Sequence, residues 1–183
     1  MGALKLEDIP SYTYEDYKQW EGRWELIYGV PYAMAPMPTL KHQRVSMKIG
    51  RFLDEALKDC KRCKSLLPVD WKVSKDTVVQ PDNLVICDEP FLEKSYIKKA
   101  PKIIFEVLSN STRKKDMITK FEIYEEEGVK YYIIVDPDEN FVKIYSLKDG
   151  RYIKVFETEN EKFSFELDEC DSKIDFDFSL IWD

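Results

Sequence analysis

The sequence lacks the features that would place the chain in a membrane or in a secreted disulfide scaffold. Its 183 residues contain no apolar run of about 18, the length that a membrane-spanning helix needs. The N-terminal stretch MGALKLEDIP is too short and too acidic for a signal peptide. Four cysteines in a chain of this length do not make a disulfide framework. We therefore expect a soluble, cytoplasmic protein with no membrane association.

The cysteines do not form a recognisable metal motif either. Cys60 and Cys63 make a lone C-x2-C, while Cys87 and Cys170 are isolated in the sequence. A structural zinc site needs a second ligand pair nearby in space, and the sequence shows none. We interpret the four residues as ordinary thiols, with zinc or redox chemistry at the C-x2-C as the alternative.

The chain also lacks an overall positive charge. Its net charge of −7 argues against a generally basic nucleic-acid binder. The charge is uneven, however: residues 157–183 carry ten acids against two bases, and residues 98–120 carry seven bases against two acids. A local basic patch can attract phosphates even in an acidic protein, although a solvated charged face is the alternative.

Hydrophobic residues make up 44% of the chain, which favours one domain over residues 1–183 with a single core. Apolar spacing predicts a short helix capped by Thr13, a long helix over 39–60, and a second long helix over 111–128 whose apolar stripe is Met117, Phe121 and Tyr124. Strands are predicted around Gly29 as an N-terminal hairpin, within 65–74, 77–87, 102–109 and 129–137, and as a C-terminal hairpin around Asp149-Gly150, with 91–101 as a loop or ragged helix. The predicted class is mixed α/β, with one sheet and helices packed on it.

Two predicted strands carry an acid in an otherwise apolar stretch. Glu106 interrupts KIIFEVLS, and Asp82 follows Pro81 in VVQPDNLVIC. An unpaired buried carboxylate costs several kcal/mol or becomes neutral, so each acid requires a partner. If adjacent strands bring the two acids to one end of the sheet, a proton or a divalent cation must lie between them. A hydrogen-bonded buried acid is the alternative for each.

The pattern WELIYGVPYAMAP, KHQRVS, VVQPDNLVICDEP and APKIIFEVLSNSTRKKDMITKFEIYEEEGVKYYIIVDPD resembles the Uma2 (DUF820) family. These are restriction-endonuclease-like proteins of the PD-(D/E)xK nuclease superfamily, and the resemblance covers about Tyr12 to Tyr152. It implies a restriction-endonuclease-like core with a central mixed sheet flanked by helices. It also implies Mg2+- or Mn2+-dependent cleavage of phosphodiesters, with DNA as the expected substrate. By analogy with the family, the chain is expected to form a homodimer.

The resemblance also implies a set of site residues. The catalytic residues would be Asp82, Glu106, Lys120 and Glu25; the metal ligands Asp82, Glu106 and the carbonyl of Val107; and the substrate-binding residues His42, Gln43, Ser109, Arg113 and Lys114. For Glu25 the alternative is an ion pair with Arg23 or a lysine, for His42 a surface or capping group, and for Ser109 the end of the strand.

The match has one departure at a position that matters for catalysis. The superfamily pattern places a lysine two residues after the glutamate, on the same face of the strand, where this chain has Leu108. In the Uma2-like group the lysine lies on the following helix, at a position matched by Lys120. Lys114 and Lys115 are nearer in sequence and are the alternatives. Tyr124, Tyr131 and Tyr132 are expected in the core, with base stacking as the alternative.

Three functions remain open on the sequence alone. The first is a Mg2+-dependent endonuclease. The second, motivated by Leu108, is a catalytically inactive nucleic-acid-binding module on a nuclease fold. The third is a protein-interaction scaffold whose acidic C-terminal segment is the interaction surface.

Overall fold

The computed structural model describes residues 10–34, 37–90, 95–170 and 172–182, so residues 1–9 and part of the predicted loop 91–101 lie outside the described residues. The helices are α1 (Tyr14–Tyr17), α2 (Leu40–Ala56), a π-helical turn (Lys115–Lys120) and α3 (Phe121–Glu126), with short 3-10 helices at Asp168–Cys170 and Phe178–Leu180. None of the described helices is long and apolar enough to cross a membrane.

The described strands are β1 (Trp24–Ile27), β2 (Val30–Ala33), β3 (Cys63–Leu66), β4 (Asp70–Lys72), β5 (Val78–Val79), β6 (Asn83–Cys87), β7 (Tyr96–Ile97), β8 (Ile103–Val107), β9 (Tyr131–Asp136), β10 (Phe141–Lys148), β11 (Arg151–Thr158), β12 (Lys162–Leu167) and β13 (Ser172–Asp177). They form a central sheet in the order β11-β10-β9-β8-β6-β3, a second sheet β2-β1-β5-β4-β7, and the pair β12-β13. In the central sheet β8 and β9 run parallel and the other neighbours antiparallel, as a mixed sheet requires.

Strand β8 separates two cores. Ile103, Phe105 and Val107 pack with α2 and the β12-β13 hairpin, while Ile104 and Leu108 pack with the second sheet and α3. Side chains alternate between the faces of a strand, so Glu106 shares the face of Ile104 and Leu108. The glutamate is therefore directed towards α3.

Helix α2 forms as the sequence predicts. Thr39 caps it, because its Oγ1 accepts the backbone N–H of His42 at 3.2 Å. Val45, Ile49 and Leu53 recur every four residues and are buried against the central sheet.

The second long helix differs from the prediction in its middle. A π-helical turn occupies Lys115–Lys120 before regular α-helix resumes in α3. This turn has a wider residue spacing than an α-helix, so a stripe counted at 3.6 residues per turn fails across it. Met117, predicted in the apolar stripe, is 40% exposed, whereas Asp116 and Lys120 are each 2% exposed.

The prediction of four ordinary thiols is wrong. The structure joins Cys60 to Cys170 and Cys63 to Cys87 as disulfides, across sequence separations of 110 and 24 residues. The second pair follows from the register of β3 and β6, which places Cys63 opposite Cys87. Spacing along the chain does not show either pairing, because both depend on tertiary contacts.

The acidic C-terminal segment contains a hairpin that the predicted elements omit. Phe165, Leu167, Ile174 and Phe176 are buried from β12 and β13 in the core that contains α2. Polar and charged side chains alternate with them on the outer face, which gives the sequences KFSFEL and KIDFDF a period of two residues. The negative charge of this segment thus lies on a packed hairpin, whose inner face is part of the core.

Replacing Ile174 by alanine should show that this hairpin belongs to the folded core. Ile174 is 1% exposed, and truncating a buried aliphatic side chain costs about 2–5 kcal/mol through lost burial and a cavity. Leu180→Ala is the matched control, because Leu180 lies in the same segment but is 56% exposed, and a change within about 0.5 kcal/mol is expected. Urea denaturation measures both, and equal effects would contradict the packing described here.

Candidate functional site

A cavity of about 800 Å³ opens at the C-terminal end of β8. Its wall is built from β2, the start of α2, the π-helical turn and the turn after β9. Six of the residues predicted for the site line it: His42, Asp82, Glu106, Ser109, Lys114 and Lys120. The fold therefore brings together side chains that are far apart in the sequence.

Glu106 has two partners on one carboxylate oxygen. Lys120 Nζ donates to its Oε1 at 2.9 Å, and the hydroxyl of Tyr124 donates to the same oxygen at 2.6 Å. Burial raises the pKa of Glu106, and the negative charges of Asp116 and Asp82 raise it further, while Lys120 opposes them. The buried glutamate in KIIFEVLS thus lies against the positively charged amine of Lys120, which comes from the following helical segment.

Lys120 is the centre of a buried ionic cluster. Its Nζ lies 2.9 Å from Glu25 Oε1, 2.9 Å from Glu106 Oε1 and 3.4 Å from Asp116 Oδ1. Burial acts to lower the pKa of Lys120, but the charges of Glu106 and Glu25 outweigh it and hold that pKa well above its ordinary value. Lys120 therefore stays charged, and its amine occupies the space beside Glu106 that a lysine at the Leu108 position was expected to reach.

Glu25 in β1 is fully buried and is held from three sides. Its Oε1 accepts the backbone N–H of Gln80 at 2.9 Å and the Lys120 bond, and its Oε2 pairs with Lys115. Burial raises the pKa of Glu25, but Lys120 and Lys115 together lower it below its ordinary value. Of the alternatives considered for Glu25, the lysine ion pair forms, whereas the Arg23 guanidinium donates to Gln80 Oε1.

The cluster carries more negative than positive groups. Three carboxylates, on Glu25, Glu106 and Asp116, face two ammonium groups, on Lys115 and Lys120. Full ionisation would leave one uncompensated negative charge in a buried place, which favours uptake of a proton or a cation. Burial correspondingly raises the pKa of Asp116 as well as that of Glu106.

Asp82 forms a second, adjoining pair. Its Oδ2 accepts the backbone N–H of Val107 at 2.9 Å and lies 3.2 Å from His42 Nε2. Burial lowers the pKa of His42, but the hydrogen bond and charge of Asp82 outweigh burial and raise it. The capping alternative for His42 applies only to its backbone N–H, because the imidazole faces Asp82.

The donor atoms fit a hard divalent cation held by few protein ligands. In the described part of the chain, no hydrogen bond reaches Oδ1 of Asp82 or Oε2 of Glu106, and His42 Nδ1 is buried without a partner. No three of the described carboxylates and the imidazole have ligand atoms that all lie within 4.8 Å of one another. Mg2+ takes one or two protein carboxylates and completes its shell with water and phosphate oxygens, so Asp82 and Glu106 are the residues that would hold it.

The remaining predicted residues are placed less directly. The Ser109 hydroxyl contacts Thr112 Oγ1 at 2.9 Å and accepts the Thr112 N–H at 3.3 Å, so it caps the start of the helical segment. Lys114 is exposed on the cavity wall. The Arg113 guanidinium pairs with Asp136 at 2.8 Å, and the Gln43 side chain donates to the Pro38 carbonyl. Neither residue is among those that line the described cavity. Their substrate-binding roles stay predictions.

The sequence pattern assigns neither Asp116 nor Tyr124 to the site, and it offers Lys115 only as an alternative to Lys120. Asp116, Lys115 and Tyr124 all contact Glu25, Lys120 or Glu106. The signal was present, since DMITKFEIY carries Asp116 and Lys120 at i,i+4, the spacing at which helical side chains meet. Tyr124, Tyr131 and Tyr132 are all buried, as the core assignment expected.

The central mixed sheet with helices against it defines a restriction-endonuclease-like fold. A solved structure described as "a putative nuclease belonging to DUF820", from Anabaena variabilis ATCC 29413, superposes with a TM-score of 0.76 at 17% identity. The match covers 93% of this chain and 97% of that one, and at this identity it shows the fold alone. No curated protein matches the chain.

The chain belongs to the Uma2 family. The family model, described as "Putative restriction endonuclease", matches residues 14–168 and so spans most of the sequence. The matched range contains all the residues of the ionic cluster and the Asp82–His42 pair.

Lys120→Met should strongly destabilise the protein. The change leaves Glu25 and Glu106 buried without their shared cation, and removing one member of a buried pair costs about 3–5 kcal/mol. Urea denaturation at neutral pH measures the loss. Lys114→Met is the matched control, because Lys114 is exposed, and a change within about 0.5 kcal/mol is expected. Equal losses in the two variants would show that the cluster is not buried as described.

His42 should titrate with a pKa above its ordinary value of 6.5. It is the single histidine of the chain, so NMR of metal-free protein follows one imidazole. In Asp82→Asn the pKa should fall, because burial then acts without the opposing carboxylate, whereas Asp149→Asn in a distant turn should leave it unchanged. The folded-state pKa is raised, so the pair stabilises the fold fully below the unfolded-state pKa, and this contribution is lost as pH rises through the folded-state pKa. A His42 pKa that is the same in wild type and in Asp82→Asn would contradict the contact between His42 and Asp82.

Proposed function

We propose that the chain is a metal-dependent endonuclease that hydrolyses phosphodiester bonds of nucleic acid. The observation that carries the proposal is the approach of Lys120 Nζ to 2.9 Å from Glu106 in a cavity that Asp82 also lines. An acid pair beside a lysine amine is the set of groups that metal-assisted phosphodiester hydrolysis uses.

Asp82 and Glu106 are the residues proposed to hold Mg2+ or Mn2+, with the Val107 carbonyl as the third ligand. The ion, when bound, would supply an activated water and polarise the phosphate. Lys120 is proposed to stabilise negative charge developing on the phosphate, and Glu25 to position Lys120 through the 2.9 Å contact. His42 fixes the Asp82 carboxylate, which already accepts the Val107 N–H.

The surroundings of the cavity support a polyanionic substrate. Arg23, Lys114 and Lys115 are basic side chains that line its wall. Half of the residues that line the cavity belong to the most basic stretch of the chain, residues 98–120. DNA as the substrate, and a homodimer as the active form, are parts of the same proposal.

The test is a cleavage assay with plasmid, single-stranded DNA and RNA in Mg2+, Mn2+ or EDTA. Cleavage is expected with either metal and not in EDTA. Asp82→Asn should lower the rate by at least about 100-fold, because losing about 3 kcal/mol of transition-state stabilisation has that effect. His42 NMR of the same sample checks that Asp82→Asn still folds.

Asp149→Asn is the control for this assay. Asp149 is exposed, lies outside the cavity wall and adopts a positive φ of 50° that asparagine tolerates, so full activity is expected. Equal cleavage by wild type and Asp82→Asn would identify a contaminating nuclease and overturn the proposal.

The inactive binding module remains the second candidate, and one observation favours it. Lys120 contacts three carboxylates and Glu106 already has two donors, which is also the arrangement of a structural ion cluster. This function predicts nucleic-acid binding that weakens steeply with salt and survives Asp82→Asn, without cleavage in any metal.

A further inference from the structure

The four cysteines converge on one place from four parts of the chain. Cys60 follows α2, Cys63 begins β3, Cys87 ends β6, and Cys170 closes the 3-10 turn before β13. The Sγ atoms of Cys60, Cys63 and Cys170 all lie within 4.8 Å of one another, and Cys87 pairs with Cys63. Three cysteine sulfurs are therefore gathered at one point, and Cys87, beside Cys63, is the candidate for the fourth ligand.

The spacing of the sulfurs suits a tetrahedral metal. A Zn–S bond of about 2.3 Å places tetrahedral sulfurs about 3.8 Å apart, within the 4.8 Å that holds the sulfurs of Cys60, Cys63 and Cys170. Cys87 Sγ is not within 4.8 Å of Cys60 or Cys170, so it would have to move towards them once its disulfide is reduced. The backbone N–H of Cys63 donates to Cys60 Sγ at 3.3 Å. A hydrogen bond of this kind favours the charged form of the sulfur, which is the form that binds a metal.

The electrostatic surroundings also favour thiolates. Four thiolates around Zn2+ carry a net charge of −2, and Lys61, Arg62 and Lys64 lie in or beside the C-x2-C. Glu169 has a carboxylate oxygen within 4.8 Å of the Cys63 and Cys87 sulfurs, but it is paired with Lys102 at 2.6 Å. The thiols are therefore the available ligands.

We propose that the four cysteines, when reduced, bind one Zn2+ in a single tetrathiolate site. Zn2+ binding to the reduced cysteines releases the thiol protons and requires no oxidant. The oxidised chain with two disulfides and the reduced chain with bound zinc are therefore alternative states of the same residues. The bound ion would join the end of α2 and the edge of the central sheet to the C-terminal hairpin. Cys63 and Cys87 belong to the core opposite the one that Glu106 faces, so the site is independent of the proposed nuclease function.

The test measures metal in the full chain purified with a non-thiol reductant and without chelator. Mass spectrometry of the metal content is expected to find one zinc per chain. The metal-free reduced chain, titrated with Co2+ alone, should develop the charge-transfer and d–d bands of tetrahedral thiolate coordination, saturate at one equivalent, and lose these bands on adding Zn2+.

Variants identify the ligands. Cys87→Ser and Cys170→Ser are each expected to weaken Co2+ binding by more than about 100-fold, since even outer-shell partners of a metal are worth up to about that factor. Ser65→Ala, in the same strand as Cys63, and Glu169→Gln should bind as wild type does. The wild-type Co2+ spectrum carries the result even if a cysteine variant fails to fold.

Three outcomes would overturn the proposal. They are a fully reduced chain that binds neither zinc nor cobalt, metal binding that both cysteine variants retain, and disulfides that persist under reductant. The cleavage assay is read separately, because activity in Mg2+ does not depend on the cysteine ligands.

Discussion

The buried contact between Lys120 and Glu106 is the interaction on which the rest of the site depends. A glutamate in the middle of the central sheet is tolerated because a cation reaches it through the protein interior. The same amine also satisfies Glu25 from the second sheet and Asp116 from its own helical segment. One side chain thus connects β1, β8 and the π-helical turn, and the cavity forms where these elements meet.

That arrangement combines stability with residual charge. Two ammonium groups do not balance three carboxylates, so the cluster favours a bound proton or an added cation. Asp82 lies outside this cluster and has its own partner in His42, which leaves one carboxylate oxygen without a hydrogen bond among the described residues. Both properties underlie the proposal that Asp82 and Glu106 hold a divalent cation.

Much of the fold and part of the site followed from the sequence. Alternation and apolar spacing predict α2, the strands β8 to β11 and the N-terminal hairpin, because each is determined by local burial. The predicted strands 65–74 and 77–87 each divide in the structure between the central sheet and the second sheet. The position of Glu106 within an apolar strand was enough to require a partner. The resemblance of the sequence to the Uma2 pattern indicates Lys120 as the lysine of the site, and the structure places its amine 2.9 Å from the glutamate.

What the sequence did not predict depends on contacts between distant segments. The disulfide partner of Cys60 is 110 residues away, and the C-terminal hairpin lies within a segment whose acidic composition hides its alternating apolar face. The π-helical turn was missed for a related reason. A wide turn stabilised by a buried charge cluster has no distinct apolar period. Apolar spacing alone therefore places Met117 in the core, whereas the side chains buried from this turn are those of Asp116 and Lys120.

The π-helical turn also makes chain length a determinant of the site. Each residue of an α-helix turns the chain by about 100°. Deleting one residue of the helical segment before Lys120 would therefore direct its amine to another side of the helix, although no functional group would be lost. The loop before this segment, by contrast, lies on the surface, where insertions are tolerated. In comparisons between relatives, the number of residues between Asp116 and Lys120 is therefore as informative as their identity.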